Sequence, residues 1–265
     1  MKTNHVRAKL KRGEPSFGSW LTLPSSVSAR QLAAVGFDWL TVEMEHSSTN
    51  WESASECCLQ IAAAGVVPLV RLPWNTQENS KRALDCGAWG VIFPMVNTKA
   101  EAESAVEGAR YNPLGNRSVG GQLHAVSFGT DTATYFDRAN DEILVVVMAE
   151  HVKGIENLDE ILRVPGIDAV FIGPNDLHKS MGKRPQFDSN DPQFVQAVQH
   201  VLDMAKKHGI APGIHVADAA SAQRRMAEGF QFMPVQSDIG FMLAKAAEVT
   251  KTLGLGADRP STAKY

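Results

Sequence analysis

The sequence predicts an α/β fold, a (β/α)₈ barrel formed by one domain. Eight short apolar runs are predicted as strands, and a helical pattern lies after each of them. Near-continuous apolar runs are typical of parallel strands that helices cover on both faces. The length of 265 residues suits one large barrel. A doubly wound open sheet is the structural alternative, but it usually begins with a Gly-rich turn, which this sequence lacks.

The predicted strands are rich in Val, Ile, Leu and Phe, which favour buried strands. In chain order they are Phe17–Leu21, Trp39–Val42, Val67–Arg71, Gly90–Phe93, Ile143–Met148, Ala169–Ile172, Ala211–Ile214 and Phe230–Val235. Eight strands that alternate with helices indicate one closed barrel rather than two domains.

The segments between the strands have the apolar spacing of amphipathic helices. They are Ser25–Ala34, Trp51–Ala64, Gln77–Cys86, Lys99–Arg110, Ile155–Arg163, Gln193–His208, Asp218–Glu228 and Gly240–Leu253. Capping residues followed by early acids mark two helix starts, at 75–78 and 97–101. Glycines stand where a helix end favours a left-handed residue, at Gly65, Gly87, Gly209 and Gly229.

Two segments stand apart from this alternation. Residues Tyr111–Asp141 are long, Gly-rich and polar, so we expect an active-site loop there rather than a simple turn. We expect residues 1–253 to form the single barrel and residues 254–265 to form a C-terminal tail. Such a tail is predicted to be disordered or docked on a neighbouring subunit.

Composition and charge exclude several classes of partner. The formal net charge is −3, and no block of like charges favours nucleic acid or an anionic membrane surface. The longest apolar stretches are too short to span a bilayer, and the polar, basic N-terminus has no secretory pattern. Three cysteines without a C-x-x-C spacing fit a reducing compartment. We therefore expect a cytoplasmic protein.

Two carboxylates follow consecutive predicted strands. In a barrel of this kind, chemistry takes place at the C-terminal ends of the strands. Glu150 and Asp176 would point to the same corner of that face. With water and a bidentate ligand, two carboxylates suit a hard divalent cation such as Mg²⁺ or Mn²⁺. The alternative is that each carboxylate caps the helix that follows it.

A histidine and an arginine follow the second and third strands. His46 follows Glu43 and Glu45, and an imidazole near a carboxylate can act as a general acid or base near neutral pH. A surface or structural histidine is the alternative, and the two glutamates are either metal ligands or solvent-facing. Arg71 ends a nearly apolar strand, so it must meet an anion, either a substrate or a barrel carboxylate.

The turn after the sixth strand is a candidate anion cradle. Gly173 would let a ligand approach the backbone, and the free N–H groups of a new helix can hold an anion. Pro174 contributes no N–H, so contacts must come from neighbours such as Asn175. G-P-x-D is by itself a common turn, and it gains meaning only beside the other strand-end residues.

Several segments of the sequence together form a recognisable set: 37–46, 70–74, 94–96, 110–113 with Gly115, Arg117 and Gly120, 149–150, and the F-I-G-P-N-D-L run at 171–177. In this set the chain resembles one known family, the HpcH/HpaI aldolases, which are metal-dependent class II pyruvate aldolases. The resemblance covers all but about the last dozen residues. It implies a TIM barrel of the phosphoenolpyruvate/pyruvate type.

The resemblance also implies roles for individual residues. Glu150 and Asp176 match the family's metal ligands, for Mg²⁺ or Mn²⁺ with Co²⁺ as a further candidate. His46 matches its acid/base histidine, and Asp85, in Leu84-Asp85-Cys86-Gly87, matches the aspartate that partners this histidine. Arg71 matches the arginine that would add positive charge at an enolate oxygen.

The remaining implications concern substrate and assembly. The backbone amides of Gly173 and Asn175, beside Pro174, would hold the carboxylate of pyruvate. The implied reaction is reversible cleavage of a 4-hydroxy-2-oxo acid to pyruvate, or a close 2-oxo acid, and an aldehyde, through a metal-bound enolate. The partners would be these small molecules and further copies of the chain, in a hexamer that exchanges its last helix between subunits.

Some positions depart from the family pattern. Met148-Ala149 stands where Gln-Ile is typical, Glu43 where aspartate is common, and His178 where serine follows the F-I-G-P-x-D-L motif. The run Gly121–His124 also differs from the usual small residues. These departures leave other uses of the same site open: oxaloacetate decarboxylation, an enolate-addition synthase or lyase, or a barrel without catalysis. The aldehyde is not specified.

Overall fold

A computed structural model describes residues 1–255 and contains a closed barrel of eight parallel strands. Each strand pairs with the next in sequence, and β8 pairs with β1. The predicted (β/α)₈ barrel is therefore confirmed. The strands are β1 Ser16–Leu21, β2 Trp39–Glu43, β3 Val67–Arg71, β4 Gly90–Phe93, β5 Leu144–Met148, β6 Ala169–Ile172, β7 Ala211–Ile214 and β8 Phe232–Ser237.

Helices surround the barrel and cover its outer face. Within residues 1–255 they are α1 His5–Lys11, α2 Ser26–Ala33, α3 Trp51–Ala63, α4 Gln77–Asp85, α5 Lys99–Ala109, α6 Leu123–Ser127, α7 Thr132–Glu142, α8 Val152–Glu156, α9 Leu158–Leu162, α10 Pro174–Ser180, α11 Pro192–His208, α12 Ala219–Glu228 and α13 Asp238–Thr252. Gly65, Gly87, Gly209 and Gly229 all have positive φ, as their positions predict. None of the helices described is long and apolar enough to cross a membrane.

The expectation of a long loop over Tyr111–Asp141 is wrong, because the segment contains α6 and most of α7. Asp131 caps α7 by accepting the N–H of Thr134 at 2.8 Å, and Tyr135 and Ala139 are buried on its inner face. Polar residues cover the rest of this helix, which hides its short apolar stripe in the sequence. Residues 111–122 and the short turn at 128–131 are the parts of this segment that lie outside the two helices.

Helix α1 closes the N-terminal end of the barrel. It buries Val6 and Leu10, and the side-chain amide of Asn4 donates to the carbonyl oxygens of Trp89 and Glu142, each at 3.0 Å. Arg7 Nε lies 2.7 Å from Asp168 Oδ1, just before β6. The helix thus ties together the starts of β4, β5 and β6.

Large side chains fill the interior of the barrel. Trp39 and Phe232 stack with ring centroids 4.2 Å apart, and Trp20 meets Phe171 edge-on at 5.9 Å. Gly18 makes room for the Trp39 ring, since a Cβ at this position would overlap it. A filled interior above a closed end leaves the C-terminal mouth as the place for a ligand.

Helix α13 packs against the barrel only at its start. Asp238 is its one buried residue, and both oxygens of its carboxylate are used: Oδ1 accepts from Thr22 N–H at 2.9 Å and Oδ2 from Leu23 N–H at 3.2 Å. Further along, apolar side chains are exposed: Met242, Leu243, Val249 and Leu253. The described part of the predicted tail is Gly254 and Leu255, and residues 256–265 lie outside the described residues.

Candidate active site at the mouth of the barrel

Glu150 lies directly after β5 and is 2% exposed. Its Oε1 accepts the backbone N–H of Met95 at 2.8 Å. Met95 follows β4 with φ of 54°, a conformation that is uncommon for residues other than glycine. Burial raises the pKa of Glu150 to about 8, and nearby Glu45 and Asp176 act in the same direction. A buried carboxyl with nearby acids favours a cation beside it.

Asp176 lies in the first turn of α10, where it is exposed. Neither carboxylate is the N-cap of the helix that follows it: Gly173 is the N-cap of α10, with Asp176 in its first turn, and His151 caps α8. Asp176 lies close enough to raise the pKa of both Glu150 and Glu45. The fold therefore brings the two predicted metal ligands to one corner.

Glu45 is a third carboxylate at this corner. Its side chain is 11% exposed, and its Oε2 has no hydrogen-bond partner within residues 1–255. Burial raises its pKa, whereas Arg71 and His46 lower it. The sequence left the role of Glu45 open, and the structure places it inside the mouth rather than in solvent.

Arg71 has a carboxylate partner within the chain. Its Nε lies 2.5 Å from Glu43 Oε2, its Nη1 lies 3.4 Å from Glu45 Oε2, and its Cζ lies 4.7 Å from the centroid of the Trp20 ring. Glu43 is 1% exposed and also accepts the N–H groups of Glu45 and His46, at 2.7 and 2.9 Å. Of the two alternatives for Arg71, the ion pair with a barrel carboxylate is therefore present.

His46 and Asp85 lie apart within one chain. The His46 side chain is 63% exposed, with Nε2 3.7 Å from Glu45 Oε1. Asp85 Oδ1 instead accepts from Arg117 Nη2 at 2.8 Å and lies 3.9 Å from His124 Nδ1. In the part of the chain that the structure describes, no hydrogen bond or ion pair joins His46 to Asp85, so their pairing stays a prediction.

A buried polar cluster that the sequence did not predict surrounds Asp85. Arg117 is completely buried at its side chain, and its Nη1 donates to the Tyr135 hydroxyl at 2.8 Å. The guanidinium also lies 4.6 Å from the ring centroid of Tyr111. Burial lowers the pKa of His124 to about 4, with the charge of Arg117 adding to the effect. The family motif around Gly115 and Arg117 was the one available signal.

The turn at Gly173, Pro174 and Asn175 leads from β6 into α10. A Cβ on Gly173 would overlap Glu150 Oε2, so only glycine allows this close approach. Pro174 occupies the first turn of α10, where a missing N–H costs nothing. The predicted anion cradle therefore directly adjoins the carboxylate of Glu150.

His215 is a further polar residue at the mouth, directly after β7. Its ring meets Trp20 and Phe187 edge-on, at centroid distances of 5.8 and 4.7 Å. Its Nε2 is buried and has no partner within residues 1–255. No role was predicted for His215, which directly follows the seventh predicted strand.

The residues at this corner fit a hard divalent cation. Glu150, Asp176 and Glu45 offer only oxygen ligands, and the buried Glu45 Oε2 accepts no hydrogen bond from the residues that the structure describes. Among residues 1–255, no three His, Cys, Asp or Glu side chains form a complete metal site by themselves. Mg²⁺ commonly takes one or two carboxylates and completes its shell with water and substrate oxygens.

Comparisons with known proteins indicate the family of this chain. Residues 16–244 match the family model described as HpcH/HpaI aldolase/citrate lyase. The hydroxypyruvate/pyruvate aldolase of Rhizorhabdus wittichii is 34% identical over 246 residues, which cover 93% of this chain and 97% of that protein. The 4-hydroxy-2-oxo-heptane-1,7-dioate aldolase of Escherichia coli is 38% identical over 247 residues, 92% of each chain.

A solved structure gives the same result. The HpcH/HpaI aldolase/citrate lyase family protein of Burkholderia cenocepacia has a TM-score of 0.88 at 33% identity, covering 95% of this chain and 100% of that one. The predicted resemblance is confirmed, and with it the prediction of a carbon–carbon lyase. The chain belongs to the HpcH/HpaI aldolase/citrate lyase family.

Proposed function

We propose that this chain catalyses reversible aldol cleavage of a 4-hydroxy-2-oxo acid to pyruvate, or a close 2-oxo acid, and an aldehyde. The observation that carries the proposal is the convergence of Glu150 and Asp176 beside Arg71 at the mouth of the barrel. The similar aldolases of R. wittichii and E. coli support the same class of reaction.

Glu150 and Asp176 would hold a divalent cation, Mg²⁺ or Mn²⁺, with Co²⁺ as a further candidate. When bound, such an ion supplies Lewis-acid stabilisation to the oxygens of the 2-oxo acid. Glu45 lies close enough to add negative charge to the site. Met95 N–H fixes one oxygen of Glu150, which orients the other oxygen.

The other residues would bind substrate and move a proton. Arg71 provides positive charge toward the oxygen that becomes negative, with Glu43 fixing its orientation. The amides of Gly173 and Asn175, beside Pro174, hold the carboxylate of the 2-oxo acid. His46 takes the proton of the 4-hydroxyl during cleavage and returns it during addition.

The pairing of His46 with Asp85 needs a second copy of the chain. Both side chains are partly exposed, at 63% and 31%, and they do not meet within one chain among the residues described. The exposed apolar residues of α13, such as Met242, Leu243 and Val249, favour burial against another subunit. We propose a cytoplasmic homo-oligomer, a hexamer that exchanges its last helix, and light scattering after size exclusion would test the hexamer.

The first experiment is deuterium exchange at the methyl group of pyruvate, followed by NMR with and without Mg²⁺ or Mn²⁺. It requires no choice of aldehyde. Exchange that a chelator abolishes and added metal restores would support the proposed function. Absence of exchange with every divalent ion tried would contradict it. Assays of oxaloacetate decarboxylation and of aldehyde release from a 4-hydroxy-2-oxo acid would then separate the two uses of the site.

A further inference from the structure

His215 combines burial with an unused polar atom. Its Nε2 is buried and finds no hydrogen-bond partner among residues 1–255. Buried polar atoms in proteins are nearly always paired, so each exception calls for a physical reason. A ligand that binds at the mouth of the barrel and supplies the missing partner is one such reason.

The position of His215 points to the 2-oxo acid rather than the aldehyde. Its backbone N–H donates to the carbonyl of Ile172 at 3.3 Å, and Ile172 immediately precedes Gly173. His215 is therefore a direct neighbour of the proposed carboxylate cradle. His46, which would act on the aldehyde side, follows β2 instead.

The rest of the mouth leaves one part of the 2-oxo acid without a polar partner. In the proposed function, the cradle amides and Arg71 would bind the carboxylate and keto oxygens, where the cation would supply Lewis-acid chemistry. Carbon 3 is the remaining position that can carry a substituent. Trp20 lies between Arg71 and His215, with Arg71 Cζ 4.7 Å from its ring centroid, so these three side chains form one continuous wall.

The chemistry of the ring suits a hydroxyl group. Burial and, to a smaller extent, the charge of Arg71 together lower the pKa of His215 to about 3, so the imidazole is neutral at physiological pH. A neutral imidazole has one N–H and one lone pair. A hydroxyl can donate to the lone pair or accept from the N–H, whereas a methyl group can do neither.

We propose that His215 is a specificity-determining residue whose Nε2 hydrogen-bonds a hydroxyl on carbon 3 of the 2-oxo acid. The inference rests on the proposed function, because it assumes that a 2-oxo acid binds at Glu150 and Asp176. Its consequence is a preference for 3-hydroxypyruvate over pyruvate as the donor. Phe187, from the loop after α10, contacts the His215 ring edge-on, with the ring centroids 4.7 Å apart.

The test compares exchange at carbon 3 of 3-hydroxypyruvate and of pyruvate, at low substrate concentration and with Mg²⁺ or Mn²⁺. We compare the wild type with two variants. His215→Leu replaces the imidazole by an apolar side chain, and His215→Gln keeps a side chain that can form hydrogen bonds. His208→Leu is the matched control: this histidine binds Asp159 at 2.8 Å and ends α11 at the opposite end of the barrel. Blanks without protein correct for spontaneous enolisation.

The measured ratio is the exchange rate of 3-hydroxypyruvate divided by that of pyruvate. We expect His215→Leu to lower this ratio about tenfold and His215→Gln to lower it much less. His208→Leu should leave the ratio unchanged. An unchanged ratio in His215→Leu, or an equal loss for both substrates, would overturn the role of His215 while leaving the proposed function intact. Absence of exchange in the wild type would instead overturn the proposed function and the inference with it.

A second measurement needs no variant and covers the case in which His215→Leu fails to fold. With ¹⁵N-labelled histidine, the Nε2 signal of His215 in the wild type should shift when 3-hydroxypyruvate binds. Pyruvate should shift it much less. Equal shifts with both ligands, or none with either while pyruvate exchange proceeds, would overturn the proposed contact.

Discussion

The two halves of the mouth differ in how far one chain completes them. On the side of β5 and β6, Glu150 is buried, receives the Met95 N–H and touches Gly173. On the side of β2 and α4, His46 is exposed and Asp85 is turned toward Arg117. Among the described residues, one chain brings the proposed cation ligands together at one corner, whereas His46 and Asp85, the proposed proton-transfer pair, lie apart.

The largest expected effect is on the cation side. Asp176→Asn and Glu150→Gln should each lower pyruvate exchange by about 1000-fold, because a neutral amide binds a divalent cation far more weakly than a carboxylate. Calorimetric titration with Mn²⁺ should show the same loss of affinity. Glu103→Gln, on the outer surface of α5, is the control and should leave both unchanged. Full exchange in Asp176→Asn would remove this residue from the cation site.

A smaller effect, limited to one step, is expected for His46→Ala. Aldol cleavage should fall by about 100-fold, the usual range for loss of a general acid or base. Pyruvate exchange should fall much less, since it involves no 4-hydroxyl. The ratio of the two rates is the measurement, and equal losses would place His46 outside the proton transfer.

Mixing two inactive variants tests whether the proton-transfer side is shared between chains. His46→Ala and Asp85→Asn are unfolded, mixed and refolded together. If each site takes one residue from each of two chains, about a quarter of the sites regain both residues in a random mixture. Cleavage activity should return accordingly. A mixture no more active than its components would show that the two residues do not cooperate across a subunit boundary.

The smallest expected effect is on the pH dependence of stability without metal. Burial raises the pKa of Glu150 from 4.5 to about 8, so the folded protein binds this proton more tightly than the unfolded chain. The stabilisation is complete below pH 4.5 and is lost as the pH rises through about 8. Thermal unfolding from pH 5 to 9 should show this slope, and Glu150→Gln should flatten it.

Repeating the thermal unfolding with added Mg²⁺ tests Glu150 in a second way. At pH 8 the ion should raise the melting temperature of the wild type, because it binds the ionised carboxylate of the folded state. The same addition should raise the melting temperature of Glu150→Gln much less. Equal pH slopes in the wild type and Glu150→Gln would show that Glu150 does not control this part of the stability.

The sequence predicted the barrel because its strands are buried on both faces and therefore apolar along their length. All eight strands were located, with ends shifted by at most two residues, as at β8. Helix α1 was missed because only Val6 and Leu10 of its seven residues are buried. Helices α6 and α7 were missed because glycine and polar residues precede them.

The candidate site was predictable in its residue types but not in its contacts. Strand ends located Glu150, Asp176 and Arg71, since every strand of a barrel delivers its last residues to one face. The pairing of Arg71 with Glu43 joins residues 28 positions apart, and the separation of His46 from Asp85 depends on how α4 packs. The φ of 54° at Met95 could not be predicted, because the residue is not glycine, the usual signal for a positive φ.

The closure of the barrel by α1 and by the stacked Trp39 and Phe232 has a kinetic consequence. Substrate and both products must pass through the same opening, so the product nearer that opening leaves first. In the proposed function, the 2-oxo acid is held deepest, between Gly173 and the carboxylates. We therefore expect ordered release, with the aldehyde first and the 2-oxo acid last, and competitive inhibition of cleavage by the 2-oxo acid.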